Sequence, residues 1–190
     1  MSLGISVMDV DAERGLLVGP LVHYRPSPHH DERPSLIPVD LLVIHNISLP
    51  PNEFGGPHIE HLFLATLDPS AHPYFAEIAH LRVSAHVVIH RDGSMVQYVP
   101  FHKRAWHAGV SQFGEREACN DFSIGIELEG ADDIPYTDAQ YQALIEVTKA
   151  LLQVYPAIAT DRIVGHQHIA SDRKTDPGPS FDWTRYLSAL

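Results

Sequence analysis

Ser123-Ile124-Gly125-Ile126-Glu127-Leu128 is followed, a few residues on, by Thr137-Asp138-Ala139-Gln140 and then by Tyr141, Leu144, Ile145, Thr148, Leu151, Leu152 and Tyr155. The first stretch alternates. It predicts a strand with Ile124, Ile126 and Leu128 on one face and Ser123, Gly125 and Glu127 on the other. The second recurs at helical spacing. Thr137 and Gln140 have the spacing of a capping box, which starts the helix, and Pro156 stops it. A strand feeding a one-sided helix must bury the helix's apolar face against a sheet.

Working outward, Leu41-Leu42-Val43-Ile44 is a short continuous apolar run of the kind found in a strand buried on both faces. Residues 84–90 form another strand, Arg91-Asp92-Gly93-Ser94 a hairpin turn, and residues 95–99 the returning strand. Residues 59–67, 71–80 and 181–190 predict short helices, and residues 162–164 a short extended piece. The proline-rich stretch 49–57 is a loop directly after a strand, a common place for a binding site. Residues 20–38 are rich in proline, histidine and charge and predict irregular structure. Strands interleaved with helices, plus one hairpin, predict an α/β single domain with a central mixed β-sheet flanked by helices. It spans residues 1–190, with 1–38 an irregular N-terminal arm packed on it.

Composition narrows the function classes. The chain has 190 residues, 44% of them hydrophobic, enough for one real core. The formal net charge of −11 argues against a nucleic-acid binder, which needs a basic face, and against attachment to anionic lipid. Cys119 is the lone cysteine, so no internal disulfide forms, and a reducing compartment is compatible. Residues 1–10 lack a charged segment followed by a long apolar one, and no stretch reaches about 18 uninterrupted apolar residues. These features predict a cytoplasmic protein with no nucleic-acid or membrane partner and no obligate protein partner.

Near the C-terminus, Gly165-His166-Gln167-His168-Ile169-Ala170-Ser171-Asp172-Arg173-Lys174-Thr175-Asp176-Pro177-Gly178 concentrates metal-ligand side chains in one loop. His45 follows the buried run at 41–44. Catalytic zinc takes three protein ligands from imidazole and carboxylate and keeps a fourth position open. His45, His166 and Asp176 supply such a set, each where the backbone is held: a strand end, a position after glycine, and a position before proline. Fourteen histidines make context essential. Spacing alone favours the plainer reading of two ordinary partly buried histidines and a turn-capping aspartate. His166 with His168, or His86 and His90, also stay open as ligands. His29, His30, His58, His61 and His72 lie in polar or proline-rich surroundings that predict surface positions.

Several longer strings decide between these readings. Val43-Ile44-His45-Asn46-Ile47-Ser48-Leu49-Pro50-Pro51, His80-Leu81-Arg82-Val83-Ser84-Ala85-His86 and Lys103-Arg104-Ala105-Trp106-His107-Ala108-Gly109-Val110-Ser111 occur in that order. Asn120-Asp121-Phe122-Ser123-Ile124-Gly125-Ile126-Glu127-Leu128-Glu129-Gly130 and Arg173-Lys174-Thr175-Asp176-Pro177-Gly178-Pro179 follow. Together they closely resemble the AmpD family of cytoplasmic 1,6-anhydro-N-acetylmuramoyl-L-alanine amidases, over about residues 26–185. The wider superfamily includes phage lysozyme-type amidases and peptidoglycan recognition proteins.

The resemblance implies the zinc amidase fold, with Zn2+ as cofactor and a small anhydro-muramyl peptide as substrate. It implies zinc on His45, His166 and Asp176, an acid/base pair of Glu127 and Lys174, and substrate contacts from Asn46, Arg82, Trp106 and Arg173. Only the resemblance selects Glu127 over Glu129, since both fall on the non-aliphatic strand face. The implied reaction is hydrolysis of the amide between the muramic lactyl group and L-alanine, in cytoplasmic peptidoglycan recycling. Glu127 takes the proton of the attacking water, and Lys174 steadies the oxyanion. Trp106 offers a face for a sugar, and the arginines receive peptide carboxylates. His168 departs from the acidic residue usual in close relatives and offers an alternative or inhibitory metal site. Two other functions compete: an autolytic amidase on polymeric peptidoglycan, which needs export, and a non-catalytic muropeptide-binding protein, which the retained ligands disfavour.

Overall fold

The computed structural model describes residues 8–190. Residues 1–7, which belong to the stretch on which the expectation about a leader rests, lie outside the described residues. In chain order the first strands are β1 (Asp9–Asp11), β2 (Leu16–Val18), β3 (Val22–Tyr24), β4 (His30–Glu32) and β5 (Leu41–Ile47). Two short helices follow, α1 (His58–Phe63) and α2 (Pro73–Ile78), then β6 (Val87–Ile89), β7 (Met95–Gln97), β8 (Lys103–Ala105), β9 (Gln112–Phe113) and β10 (Arg116–Glu117). The last part holds β11 (Ser123–Glu129), α3 (Asp138–Val154), β12 (Ile163–Gly165), α4 (His166–Ile169) and α5 (Trp183–Leu187).

A six-stranded sheet in the order β12-β5-β11-β6-β7-β3 forms the centre. β12, β5, β11 and β6 run parallel, and β7 turns back antiparallel to β6. The sheet is therefore mixed, as the sequence predicts. Every residue of β11 is buried, which suits a strand covered on both faces. Its aliphatic face meets α3. Ile124, Ile126 and Leu128 share a core with Leu42, Ile44, Leu144, Val147 and Leu151. The capping box at Thr137 and Gln140 is formed in both directions, so two of the helix's free N-terminal donors are satisfied. The opposite face of β5 carries Leu41 and Val43, packed with Ala108, Cys119 and Ile169. A third cluster, including Ile59, Leu62, Phe63 and Phe75 of α1 and α2 with Val88 and Tyr98, closes the β6–β7 side.

The N-terminal arm departs from its predicted irregularity. β3 adds to the sheet edge beside β7, and β4 pairs antiparallel with β8. These strands are short and polar, so their ladders rest on partners some 70 residues away rather than on a local pattern. Arg33 then pins the arm. Its buried guanidinium donates to the carbonyls of Asn120, Asp121, Phe101 and Ser123 at 2.8–3.2 Å. Burial drives the Arg33 pKa down to about 10. His29 also differs from its predicted surface position. It is buried, with Nδ1 3.0 Å from the Val83 carbonyl.

Candidate active site

Strand register brings the chemistry together. β11 and β5 pair with Glu127 opposite His45, and β12 and β5 pair with Gly165 opposite Ile44. Side chains alternate along a strand, so His45 and Glu127 leave the sheet on the face away from α3. His166, one residue past Gly165, enters beside His45. The expected loop begins instead with a helical turn, α4, which carries His166 inward and turns His168 away. His168 Nδ1 accepts from the Gly165 amide at 2.9 Å, and its ring sits 5.7 Å from that of Trp183. The His166–His168 ligand pair is thereby excluded. Gly165 has a steric role: a Cβ there would stand 2.7 Å from Pro177 Cδ and 3.3 Å from the Asp176 carbonyl. That close approach lets Gln167 N donate to Asp176 O at 3.0 Å and carries the Asp176 side chain to the histidines.

His45 Nδ1, His166 Nδ1 and Asp176 Oδ2 form a triangle with sides of 3.0, 3.0 and 3.1 Å. Among the described residues this is the one group of His, Cys, Asp or Glu with converging ligand atoms. The hydrogen bonds on the far sides of the rings decide what the triangle wants. His166 Nε2 faces the Ala108 carbonyl at 3.1 Å and so carries its ring's proton. Its Nδ1 then presents a lone pair. His45 is neutral too, because burial pushes its pKa down to about 4. A carboxylate and imidazole lone pairs converging at 3 Å repel one another unless a cation sits among them. Tetrahedral zinc with bonds of about 2.0–2.1 Å separates its ligands by about 3.3 Å, so the donor set and its spacing both fit. His86 and His90 are engaged elsewhere. His86 Nδ1 accepts from Gly125 N and its Nε2 meets Lys103 O, while His90 pairs with Glu129.

Glu127 lines the same groove, about 340 Å³ in volume, with His45, His166, Asp176, Lys174, Asn46 and Trp106. Its carboxyl is buried and Oε2 has no hydrogen-bond partner. Burial pushes its pKa well above the ordinary value, with help from the Asp176 charge and against the pull of Lys174. A carboxyl poised to hold or release a proton is what general acid/base chemistry requires. Glu129, its acidic neighbour, is spent instead on the backbone amides of Gly55 and Arg91 at 2.6 and 3.1 Å. Lys174 is exposed at the groove mouth.

The predicted contact residues fare differently. Trp106 is half-buried in the groove wall, its Nε1 donating to Asp31 Oδ1 at 3.1 Å, with the Arg82 guanidinium 5.2 Å from its ring centre. Asn46 also faces the groove, with its amide nitrogen engaged by Asp132 Oδ1 and the Pro177 carbonyl at 2.8 and 3.2 Å. Arg173 donates to the carbonyls of Ala108 and Val110 and lines an adjoining cavity that it shares with Asn46, Lys174 and Asp176. Residues that sequence reasoning gave no role also join the site: His107 against His45, Asp31 behind Trp106, and Asp132 behind Asn46. One sequence signal pointed toward His107. Gly125 in a strand interior marks a close approach, and a Cβ there would stand 2.4 Å from the His107 ring.

The N-acetylmuramoyl-L-alanine amidase family model matches residues 35–179. The chain is 66% identical over 174 residues to the 1,6-anhydro-N-acetylmuramyl-L-alanine amidase AmpD of Escherichia coli (strain K12), covering 92% of this chain and 93% of that protein. The crystal structure of a Se-Met AmpD derivative superposes with a TM-score of 0.90 at 62% identity, covering 95% of this chain and 98% of that one. A further match is the N-acetylmuramyl-L-alanine amidase AmiD from E. coli, in complex with the substrate anhydro-N-acetylmuramic acid-L-Ala-D-gamma-Glu-L-Lys. It has a TM-score of 0.59 at 27% identity and covers 95% of this chain and 65% of that one.

Proposed function

This chain belongs to the N-acetylmuramoyl-L-alanine amidase family, within its AmpD group, and on that footing we propose that it is a zinc-dependent amidase of cytoplasmic peptidoglycan recycling. The reaction is hydrolysis of the amide between the lactyl carbonyl of 1,6-anhydro-N-acetylmuramic acid and the amino group of L-alanine. The amidase domain spans the chain, with the N-terminal arm as part of it. The observation that carries the metal assignment is the triangle of His45 Nδ1, His166 Nδ1 and Asp176 Oδ2, three acceptors within 3.1 Å of one another. Zinc bound there supplies Lewis acidity, which ionises water near neutral pH and polarises a carbonyl.

The chain's own residues do the rest. Glu127 takes the proton of the attacking water. Its buried carboxyl then holds that proton, because its surroundings favour the neutral form. The same carboxyl delivers it to the departing alanine nitrogen, which is too basic to leave unprotonated. Lys174 brings positive charge to the groove mouth, where negative charge grows on the carbonyl oxygen. Trp106 offers its face to the sugar, held at its edge by Asp31. Arg82, stacked over that ring, receives a peptide carboxylate. Asn46 orients the peptide. Arg173 contacts substrate less directly and braces the 108–110 segment. No helix among the described residues is long and apolar enough to cross a membrane, and the proposed substrate is a small soluble turnover product.

The test is turnover of purified 1,6-anhydro-N-acetylmuramoyl tripeptide, followed by mass spectrometry. Free tripeptide is expected with zinc-loaded protein, is lost on chelation, and returns with zinc. No release from zinc-loaded protein would overturn the assignment. Release only from intact sacculi would move it to the autolytic class.

A further inference from the structure

Behind the metal triangle a second chain of hydrogen bonds runs away from the groove. His45 Nε2 lies 2.9 Å from His107 Nδ1, and His107 Nε2 lies 3.1 Å from Ser123 Oγ. Ser123 Oγ donates to the Cys119 carbonyl at 2.6 Å.

Counting protons along this chain leaves one arrangement. A carbonyl only accepts, so the single Ser123 hydroxyl proton is committed to Cys119. Ser123 Oγ must then accept, and His107 Nε2 carries the proton it accepts. A neutral imidazole has one such proton, so His107 Nδ1 is bare and accepts from His45 Nε2–H. The remaining nitrogen of His45, Nδ1, is left with its lone pair directed at His166 and Asp176.

We propose that His107 and Ser123 are positioning residues that fix the tautomer and ring orientation of His45, a role that rests on the zinc assignment above. The surroundings are built for it. Ser123, Gly125 and Glu127 share one face of β11. Ser123 receives the relay, Gly125 leaves room for the His107 ring, and Glu127 reaches the groove. Asn120 Oδ1 accepts from the backbone amides of both His107 and Ala108, at 3.1 and 2.8 Å, and holds the segment in place. The next residue serves the other histidine ligand: the Ala108 carbonyl accepts from His166 Nε2. Two consecutive residues, 107 and 108, thus orient both imidazole ligands from behind. Outer hydrogen bonds of this kind raise ligand basicity and tie down the ring, and losing one lowers metal affinity about 10–100-fold.

The first measurement is long-range proton–nitrogen correlation NMR on zinc-loaded wild-type protein. Protons on Nε2 of both His45 and His107 are expected, and a proton on His107 Nδ1 overturns the relay. This arm needs no variant and holds even where a variant fails to fold. The second is zinc affinity by chelator competition for wild type, His107→Leu, His107→Asn and Ser123→Ala. His107→Leu is expected to lose about 10–100-fold. His107→Asn, whose amide oxygen stands near the place of Nδ1, is expected to recover most of that loss. Affinity for His107→Leu within about threefold of wild type sinks the proposal. So does His107→Asn binding no better than His107→Leu while both keep native circular dichroism, since the ring then only fills space. If wild-type protein takes up no zinc, the metal assignment itself fails, and that is distinct from wild type binding zinc with the variants unaffected.

Discussion

His45 and Glu127 stand directly opposite each other on adjacent parallel strands, at one register position of β5 and β11. A proposed metal ligand and the proposed acid/base are therefore set by the same backbone ladder. A slip of one residue would send one of them to the opposite face, into the core beneath α3. Both side chains leave central, hydrogen-bonded strands of the sheet, which suits chemistry that needs fixed distances.

Glu127→Gln keeps the shape of the carboxyl and removes its proton transfer. The turnover number is expected to fall about 10²–10⁴-fold with zinc content unchanged. Stability is expected to move the other way. The folded-state pKa of Glu127 is raised by burial, so its contribution is complete below the unfolded value and is lost as pH rises through the folded one. At pH 8 the neutral variant should melt no lower than wild type. A rate within tenfold of wild type would remove Glu127 from the mechanism.

Zinc should stabilise the fold through its three ligands. At a free concentration about 100 times Kd, mass action adds about 2.7 kcal/mol. Asp176→Asn removes the one charged ligand, and the zinc-dependent rise in Tm is expected to vanish. Scanning calorimetry with and without zinc checks this. An undiminished rise in the variant would place the metal elsewhere.

Arg33 holds the N-terminal arm through four backbone carbonyls. Arg33→Ala leaves these acceptors unpaired and is expected to cost about 3 kcal/mol or more. Urea denaturation measures it, and limited proteolysis should cut the arm first. A loss under about 1 kcal/mol would show that the bonds are replaceable by water.

Acid should weaken the fold before its carboxylates titrate. Burial, reinforced by the nearby Arg33 guanidinium, keeps the His86 pKa well below its ordinary value. The unfolded chain protonates this histidine near pH 6.5, and the folded one does not. Below that pH the unfolded state binds more protons, so stability falls as pH falls, by up to about 1.4 kcal/mol per pH unit for one such group. Urea midpoints at pH 7.5 and 5.5 should differ more for wild type than for His86→Gln. Equal differences would assign the acid sensitivity to other groups.

Much of this protein was legible before its structure. The strand at β11, the capped helix α3 and the β6–β7 hairpin follow from alternation, helical spacing, a capping box and a turn. Those signals are local, and the physics that produces them acts over a few residues. The ligand triad was one of several arrangements until family resemblance selected it. Spacing cannot separate His166–His168 from His45–His166–Asp176 without knowing that residues 166–169 coil into a helical turn.

Local sequence carries β11, α3, the β6–β7 hairpin, the α/β class and the chemical character of the site. The tertiary structure alone decided the strand order that sets His45 beside both Glu127 and His166. It also recruited β3 and β4 from a stretch with no strand pattern, and placed His107 behind His45. The reason is physical. Strand partners, buried carbonyls and imidazole protons are assigned by groups distant along the chain, and a hydrogen-bond partner 62 residues away leaves no mark in the local sequence.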